Sequence, residues 1–310
     1  MPLFLPECHE VFDDTSSIWM CARSISFGIF CLMTMAVAVV GCQRILPIFW
    51  ATQWYATNML MLALTVLQMA LLVYECFIQN SSKLLVVTKY CRGVQVAISC
   101  MLYGKLACDL MNRSKLYDRV LAPIVVATMG LMTVDALMVL LLEDEIDCHH
   151  LTWIVMSMAG AVLAVSFALP GRIVLEEIKS TSRLQQKFLS TVSSAVAELE
   201  QSHHQLWILL LFNMISTMSQ LLVDVYVTYG VVGSRTCNSM FFEDGSGVFE
   251  QTLRLAISLV SYVLPNWAII YVFFLLPRFQ FSTALDLPDL SLDDHAYQLL
   301  DTTDPTDVRV

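Results

Sequence analysis

The sequence predicts an all-α membrane protein, a polytopic bundle of seven transmembrane helices. The composition is strongly apolar, with 57% hydrophobic and only 14% charged residues among 310, and the mean hydropathy is +0.67. Seven apolar segments also reach roughly the 20 residues that a helix needs to cross a bilayer. Because lipid cannot satisfy open backbone groups, each crossing has to be helical. The segments are Ser24–Gln43, Tyr55–Ile78, Leu85–Cys108, Val120–Leu142, Thr152–Leu175, Leu206–Val232 and Leu255–Leu276.

These crossings and their links occupy most of the chain, which predicts a single membrane domain at 24–281. A short acidic segment at 1–23 precedes it. The tail at 282–310 carries seven aspartates without a sustained hydrophobic period, so we expect it to be disordered. The net charge of −10 argues against nucleic acid as a partner, and the seven crossings make membrane lipids an expected partner.

The distribution of Lys and Arg predicts the orientation, because cytoplasmic loops of membrane proteins are enriched in these residues. One side of the predicted bundle carries most of the basic residues of the links, and the other side carries the acidic loops around Asp144 and Asp244. We therefore expect the N-terminus outside or in a lumen and the C-terminus in the cytosol. The basic set is Arg44, Lys105, Arg113, Lys115, Arg119, Arg172, Lys179, Arg183, Lys187 and Arg278.

The longest cytosolic link, residues 173–205, repeats apolar residues every three to four positions. This period is typical of an amphipathic helix. Such a helix would dock a cytosolic partner, extend the neighbouring crossing, or lie on the bilayer surface.

A tyrosine-based sorting pattern lies in the tail at Tyr297, Gln298, Leu299 and Leu300. Adaptor proteins bind this kind of motif in a free, extended segment, which a disordered tail provides. The motif favours an endosomal or lysosomal location.

Two cysteines, Cys148 and Cys237, lie in the last two loops of the predicted outer side. In an oxidising lumen they are candidates for a disulfide. Cys8 is an alternative partner, and spacing alone does not choose between them.

Three ionisable residues lie within or at the ends of crossings. Asp135 is in the fourth crossing, Asp224 is in the sixth, and Arg254 begins the seventh. Charges at membrane depth are costly, so each is a candidate functional residue. The three would bind a cationic ligand or a proton in a shared cavity. Alternatively, Arg254 neutralises either aspartate in a structural ion pair, or an aspartate snorkels to the membrane interface. The amides of Asn58, Gln68 and Asn213 are expected to form interhelical hydrogen bonds.

No motif indicates an enzyme, a cofactor or a metal site. The chain contains no Gly-rich phosphate loop, no G-x-S-x-G elbow and no H-E-x-x-H pair. Its adjacent histidines at 149–150 and 203–204 do not share a helix face.

Two crossings resemble a known family. The fifth reads IVMSMAGAVLAVSFALPGRIVLEEI from Ile154 to Ile178, and the seventh reads SYVLPNWAIIYVFFLLPR from Ser261 to Arg278. Both are similar to the seven-transmembrane tobamovirus-multiplication (THH) proteins of plants and to their animal orphan-receptor-like relatives of lysosomal membranes.

The resemblance implies a receptor-like, non-enzymatic protein of vacuolar or endolysosomal membranes that organises or signals through cytosolic partners such as small GTPases. The matching positions are Gly171, Arg172, Pro265 and Pro277. Arg172 would anchor the cytosolic helix end, and Pro265 would free a backbone carbonyl in the seventh helix.

Two other classes remain open. A divergent chemosensory receptor of the G-protein-coupled type at the plasma membrane would bind an unidentified small molecule near Asp135 and Asp224. An insect-type chemoreceptor channel would have the reverse orientation, with a cytosolic N-terminus.

The orientation gives a first prediction. A tag at the N-terminus should be protected from protease in sealed organelles, whereas a tag at the C-terminus should be cleaved. The glycosylation triplet at Asn112 should stay unmodified, because it lies on the predicted cytosolic side. A glycan on Asn112 would contradict the orientation.

Overall fold

In a computed structural model of the protein, nearly all described residues are helical and none of them lies in a strand. The structure describes residues 8, 15–46, 53–78, 81–110, 114–142, 150–188, 193–230 and 248–275. The all-α class predicted from the sequence is confirmed for this part of the chain.

Eight α-helices are numbered here in chain order. Short π-helical turns at Tyr117–Leu121, Leu259–Val263 and Tyr271–Leu275 adjoin some of them, and a single turn at Ser114–Leu116 precedes the first. The helices are α1 (Thr15–Ile45), α2 (Gln53–Phe77), α3 (Ser82–Leu110), α4 (Ala122–Leu142), α5 (Leu151–Phe188), α6 (Ser193–Gly230), α7 (Val248–Ser258) and α8 (Leu264–Ile270).

Seven stretches of these helices are long and apolar enough to cross a bilayer, which confirms the predicted number. Successive crossings alternate in direction, so α1, α3, α5 and α7 begin at one membrane face. We call it the N-terminal face and the opposite one the C-terminal face. The spans are Ile18–Ile45, Ala56–Phe77, Ser82–Lys105, Tyr117–Leu142, Leu151–Ile173, Trp207–Tyr226 and Gln251–Leu275.

Helix α3 lies at the centre of the bundle. It packs against α2, α4 and α5, and 61% of its most apolar stretch is buried, compared with 22% for the fourth span. It is nevertheless the least hydrophobic span, with a mean hydropathy of 1.2 compared with 2.2 for the fourth. The least hydrophobic span is therefore shielded from lipid by its neighbours, whereas the more apolar α4 is largely exposed to lipid.

The seventh span changes helix type just before Pro265. This proline has no N–H, so the carbonyl of Ser261 has no helical partner four residues on. The backbone forms a π turn over Leu259–Val263, and two side chains of α6 donate to that carbonyl, Ser216 Oγ at 2.7 Å and Gln220 Nε2 at 3.0 Å. The backbone carbonyl that the sequence predicts to be freed by Pro265 thus accepts hydrogen bonds from the neighbouring helix α6.

Helices α5 and α6 continue well past their spans at the C-terminal face. Helix α5 runs to Phe188, although its span ends at Ile173. Helix α6 begins at Ser193, although its span starts at Trp207. At 1.5 Å per residue each extension is about 21 Å long. In the described parts of the segment predicted to hold an amphipathic helix, residues 173–188 and 193–205, the helix is an extension of each neighbouring crossing.

A disulfide joins Cys8 to Cys21, with a Cα–Cα distance of 4.7 Å. The alternative in which Cys8 pairs with one of the two loop cysteines is therefore wrong, because Cys8 is bonded to Cys21 of α1. The predicted Cys148–Cys237 bridge lies outside the described residues. So do the tail at 282–310 with its sorting motif and Pro277.

Helices α1 and α2 pack closely where α1 carries a glycine. A Cβ on Gly28 would lie 2.5 Å from Cε2 and 2.6 Å from Cζ of Phe77. Nearby, Ser24 Oγ donates to the Cys76 carbonyl at 3.3 Å. A hydrogen in place of a side chain lets the two helices approach, as is common in membrane bundles.

Replacing this glycine should destabilise the bundle. We expect Gly28→Ala to cost about 1–3 kcal/mol through overpacking against Phe77, which thermal unfolding of the purified protein in detergent would detect as a lower Tm. Gly130→Ala is the matched control, because no atom of another helix lies within 4 Å of the added Cβ. It should leave the Tm unchanged or raise it slightly. Equal losses at both sites would contradict this packing.

Candidate intramembrane site

The ion pair of Lys89 and Asp224 forms the centre of the candidate site. The Nζ of Lys89, on α3, donates to Oδ2 of Asp224, on α6, and the two side chains are only 6% and 7% exposed. Ser157 Oγ, on α5, donates to the same carboxylate oxygen. The Lys89 ammonium also lies 4.9 Å from the centre of the Trp153 ring, within cation–π distance.

The sequence identified Asp224 but not the cation beside it. Lys89 lies inside the third span because α3 already begins at Ser82, which places this residue about 10 Å along the helix. A count of basic residues in the loops does not show where the third crossing begins. If the crossing began after residue 92, Lys89 and Arg92 would lie in the outer loop. A usable signal is the spacing of Lys89, Arg92, Gln95 and Ser99, which puts four polar residues on one helix face.

Arg92 lies one turn deeper than Lys89 and binds two neutral amides. Its Nη2 donates to Oδ1 of Asn213, on α6, and its Nη1 donates to Oε1 of Gln95 at 3.4 Å. The side chain is almost completely buried. The predicted interhelical hydrogen bond of Asn213 is confirmed, with a guanidinium as its donor.

The polar contacts continue from Gln95 into α2 and the seventh span. Gln95 Nε2 donates to Asn266 Oδ1 and to Thr65 Oγ1, both at 3.1 Å. Asn266 Nδ2 in turn donates to Gln68 Oε1 at 2.7 Å. Gln68 Nε2 also donates to the Thr88 carbonyl at 3.3 Å, which confirms the interhelical role predicted for this amide.

The three ionisable residues singled out in the sequence do not form one cluster. Asp224 is neutralised by Lys89, so the alternative in which Arg254 neutralises it is wrong. Asp135 instead accepts a hydrogen bond from Thr152 Oγ1 at 3.3 Å, and this hydroxyl lies 2.8 Å from His150 Nδ1. Arg254 lies on α7, half-buried.

The positions carried over from the family resemblance occupy different environments. Gly171 is buried near the end of the fifth span. Arg172 is exposed, and its Nε donates to Glu176 Oε1 at 3.1 Å, one helical turn further on. Pro265 is buried in the seventh span.

No family model and no curated protein matches the chain. The fold by itself defines a broad class of protein. The chain is a multi-pass membrane protein with seven candidate spans among its described residues, and a buried ion pair with its hydrogen bonds connects α3, α5 and α6.

The ion pair predicts strong coupling between its two residues. Lys89→Gln or Asp224→Asn alone leaves one buried charge without its partner and should cost about 3 kcal/mol. The double variant should cost at least about 2 kcal/mol less than the sum of the singles. The measurement is the midpoint of SDS-induced unfolding in mixed micelles, followed by tryptophan fluorescence.

The exposed pair Arg172–Glu176 is the control for this double-mutant cycle. Its side chains are 80% and 69% exposed, so the same neutralising substitutions should couple by no more than about 0.5 kcal/mol. Additive losses at Lys89 and Asp224 would show that the ion pair does not hold the helices together.

Proposed function

We propose that the protein is a receptor-like seven-span membrane protein that organises or signals through cytosolic partners, such as small GTPases, at its C-terminal face. One observation carries the proposal. The helices that hold Ser157 and Asp224 beside Lys89 are α5 and α6, and these same helices extend about 21 Å beyond the opposite end of their spans.

This connection supports a receptor-like role because helices move as rigid elements. A change in the pairing around Asp224 would shift α5 and α6 relative to α3, and the extensions would move with them. Small helix shifts of this kind are an established way to transmit a signal. Charged residues at membrane depth are costly, and each is therefore a candidate functional residue.

Two further observations support the orientation in which the extensions are cytosolic. Positive residues concentrate in the links of the C-terminal face, including Arg113, Lys115 and Arg119. At the N-terminal face, the Cys8–Cys21 disulfide is typical of an oxidising, non-cytosolic compartment.

We propose that the protein resides in endosomal, lysosomal or vacuolar membranes. The support is the resemblance of the fifth and seventh crossings to the tobamovirus-multiplication family and the sorting pattern at Tyr297. A surface chemosensory receptor is the second candidate, favoured by the buried charges of Lys89, Arg92 and Asp224.

Proximity labelling from a C-terminal ligase fusion of the full chain tests the partner proposal. We expect cytosolic signalling proteins, small GTPases among them, to be labelled. The double substitution Lys179→Glu and Arg183→Glu in the α5 extension should reduce this labelling several-fold, because it reverses the charge of the docking helix. Lys115→Glu, on the same face but outside the extensions, is the control.

Imaging of the same fusion tests the compartment. The wild-type chain should reach endolysosomal membranes, and Tyr297→Ala should shift it to the cell surface. If labelling is unaffected by the α5 substitutions, the extensions are not the docking element. If the wild-type chain resides at the surface and Tyr297→Ala changes nothing, the surface-receptor candidate replaces the endolysosomal one.

A further inference from the structure

The bundle interior contains more positive than negative charge around Arg92. Lys89 is neutralised by Asp224. Arg92 is 4% exposed, and in the described part of the chain its hydrogen-bond acceptors are the neutral amides of Asn213 and Gln95. A charge this deeply buried normally has a counter-charge, and here no described carboxylate lies within bonding distance of the guanidinium.

The two cations also have more donors than their protein acceptors use. A guanidinium has five N–H groups and an ammonium has three. Arg92 bonds through Nη1 and Nη2, while its Nε has no hydrogen-bond partner among the described residues. Such an arrangement of surplus donors is suited to a group that only accepts hydrogen bonds and carries negative charge.

A small cavity lies directly beside these donors. Residues of α3, α4, α5 and α6 line it, among them Lys89, Arg92, Ser157, Gly160, Thr217 and Gln220. Its volume is about 10 Å³, close to the smallest cavity that holds one water-sized particle. The cavity thus has room for one small particle and not for a lipid headgroup.

We propose that this cavity binds one monatomic anion of chloride size between Lys89 and Arg92. The anion completes the charge balance of Lys89, Arg92 and Asp224 and accepts the hydrogen bonds for which the protein supplies donors. It accepts hydrogen bonds from Lys89 and Arg92, because the Ser157 and Thr217 hydroxyls beside it already donate to Asp224 and to the Asn213 carbonyl. By neutralising the surplus buried charge, the anion stabilises the bundle. The proposal rests only on the positions of these side chains and the cavity, so it is independent of whether the chain signals to cytosolic partners.

Equilibrium binding of radiolabelled chloride to the purified full-length protein in nanodiscs tests the proposal. We expect saturable binding of one chloride per chain, displaced by bromide but not by gluconate. In parallel, replacing sodium gluconate by sodium chloride at constant ionic strength should raise the Tm by about 3 °C or more well above the Kd, since a ligand that binds the folded state stabilises it. Absence of saturable binding by the wild-type protein overturns the proposal.

Arg92→Gln removes the proposed counter-charge but keeps hydrogen-bonding capacity, and it should weaken chloride binding at least tenfold. The exposed Arg172→Gln is the matched control and should bind as the wild type does. If Arg92→Gln does not fold, the chloride affinity of Gly160→Ala tests the site instead. Its added methyl would meet Thr217 Cγ2 at an ordinary 3.6 Å, and it leaves every charge in place while filling part of the cavity.

Chloride affinity should therefore fall in Gly160→Ala as well. Unchanged affinity in a folded Arg92→Gln protein, or in Gly160→Ala where Arg92→Gln does not fold, would place any bound chloride elsewhere and overturn the site.

Discussion

The polar face of α3 has to be satisfied by other helices, and the arrangement of the bundle depends on this constraint. Inside a bilayer no bulk water bonds to a buried ammonium, guanidinium or amide, and an unmet polar group is costly there. Lys89, Arg92 and Gln95 reach partners on α6, on α2 and in the seventh span. Helix α3 is central because the surrounding helices supply the acceptors, whereas the more hydrophobic span of α4 is buried to a much smaller extent.

The same constraint explains the break in the seventh span. Pro265 removes a helical hydrogen bond in a region where water cannot replace it. Ser216 and Gln220 of α6 bind the freed Ser261 carbonyl, and Asn266, the next residue after the proline, bonds to Gln68 and Gln95. The segment around the proline is therefore bonded to α6 through its backbone and to α2 and α3 through the side chain of Asn266. A local defect in one helix becomes the point at which α2, α3 and α6 meet the seventh span.

The number of spans could be predicted from the sequence because it depends on local apolar runs and on the thickness of the bilayer. The carbonyl freed by Pro265 was predictable for a similar reason, since proline chemistry is local. The partner of Asp224 was not, because Lys89 lies 135 residues away along the chain and near a helix start that charge counting leaves open. Lipid-facing and core-facing positions are also equally apolar in helices such as α4, so hydrophobicity does not indicate which helices pack together.

The buried polar contacts also explain how α5 and α6 keep a defined position. Apolar helix faces slide along one another at little cost in lipid, since lipid tails are as apolar as the side chains. A specific hydrogen bond does not permit this, because a displacement of one helical turn, about 5.4 Å, separates Asp224 from both Lys89 and Ser157. The ion pair thus fixes the register of α5 and α6 against α3. Since both helices are continuous through their spans, that register also determines where their extensions lie at the C-terminal face.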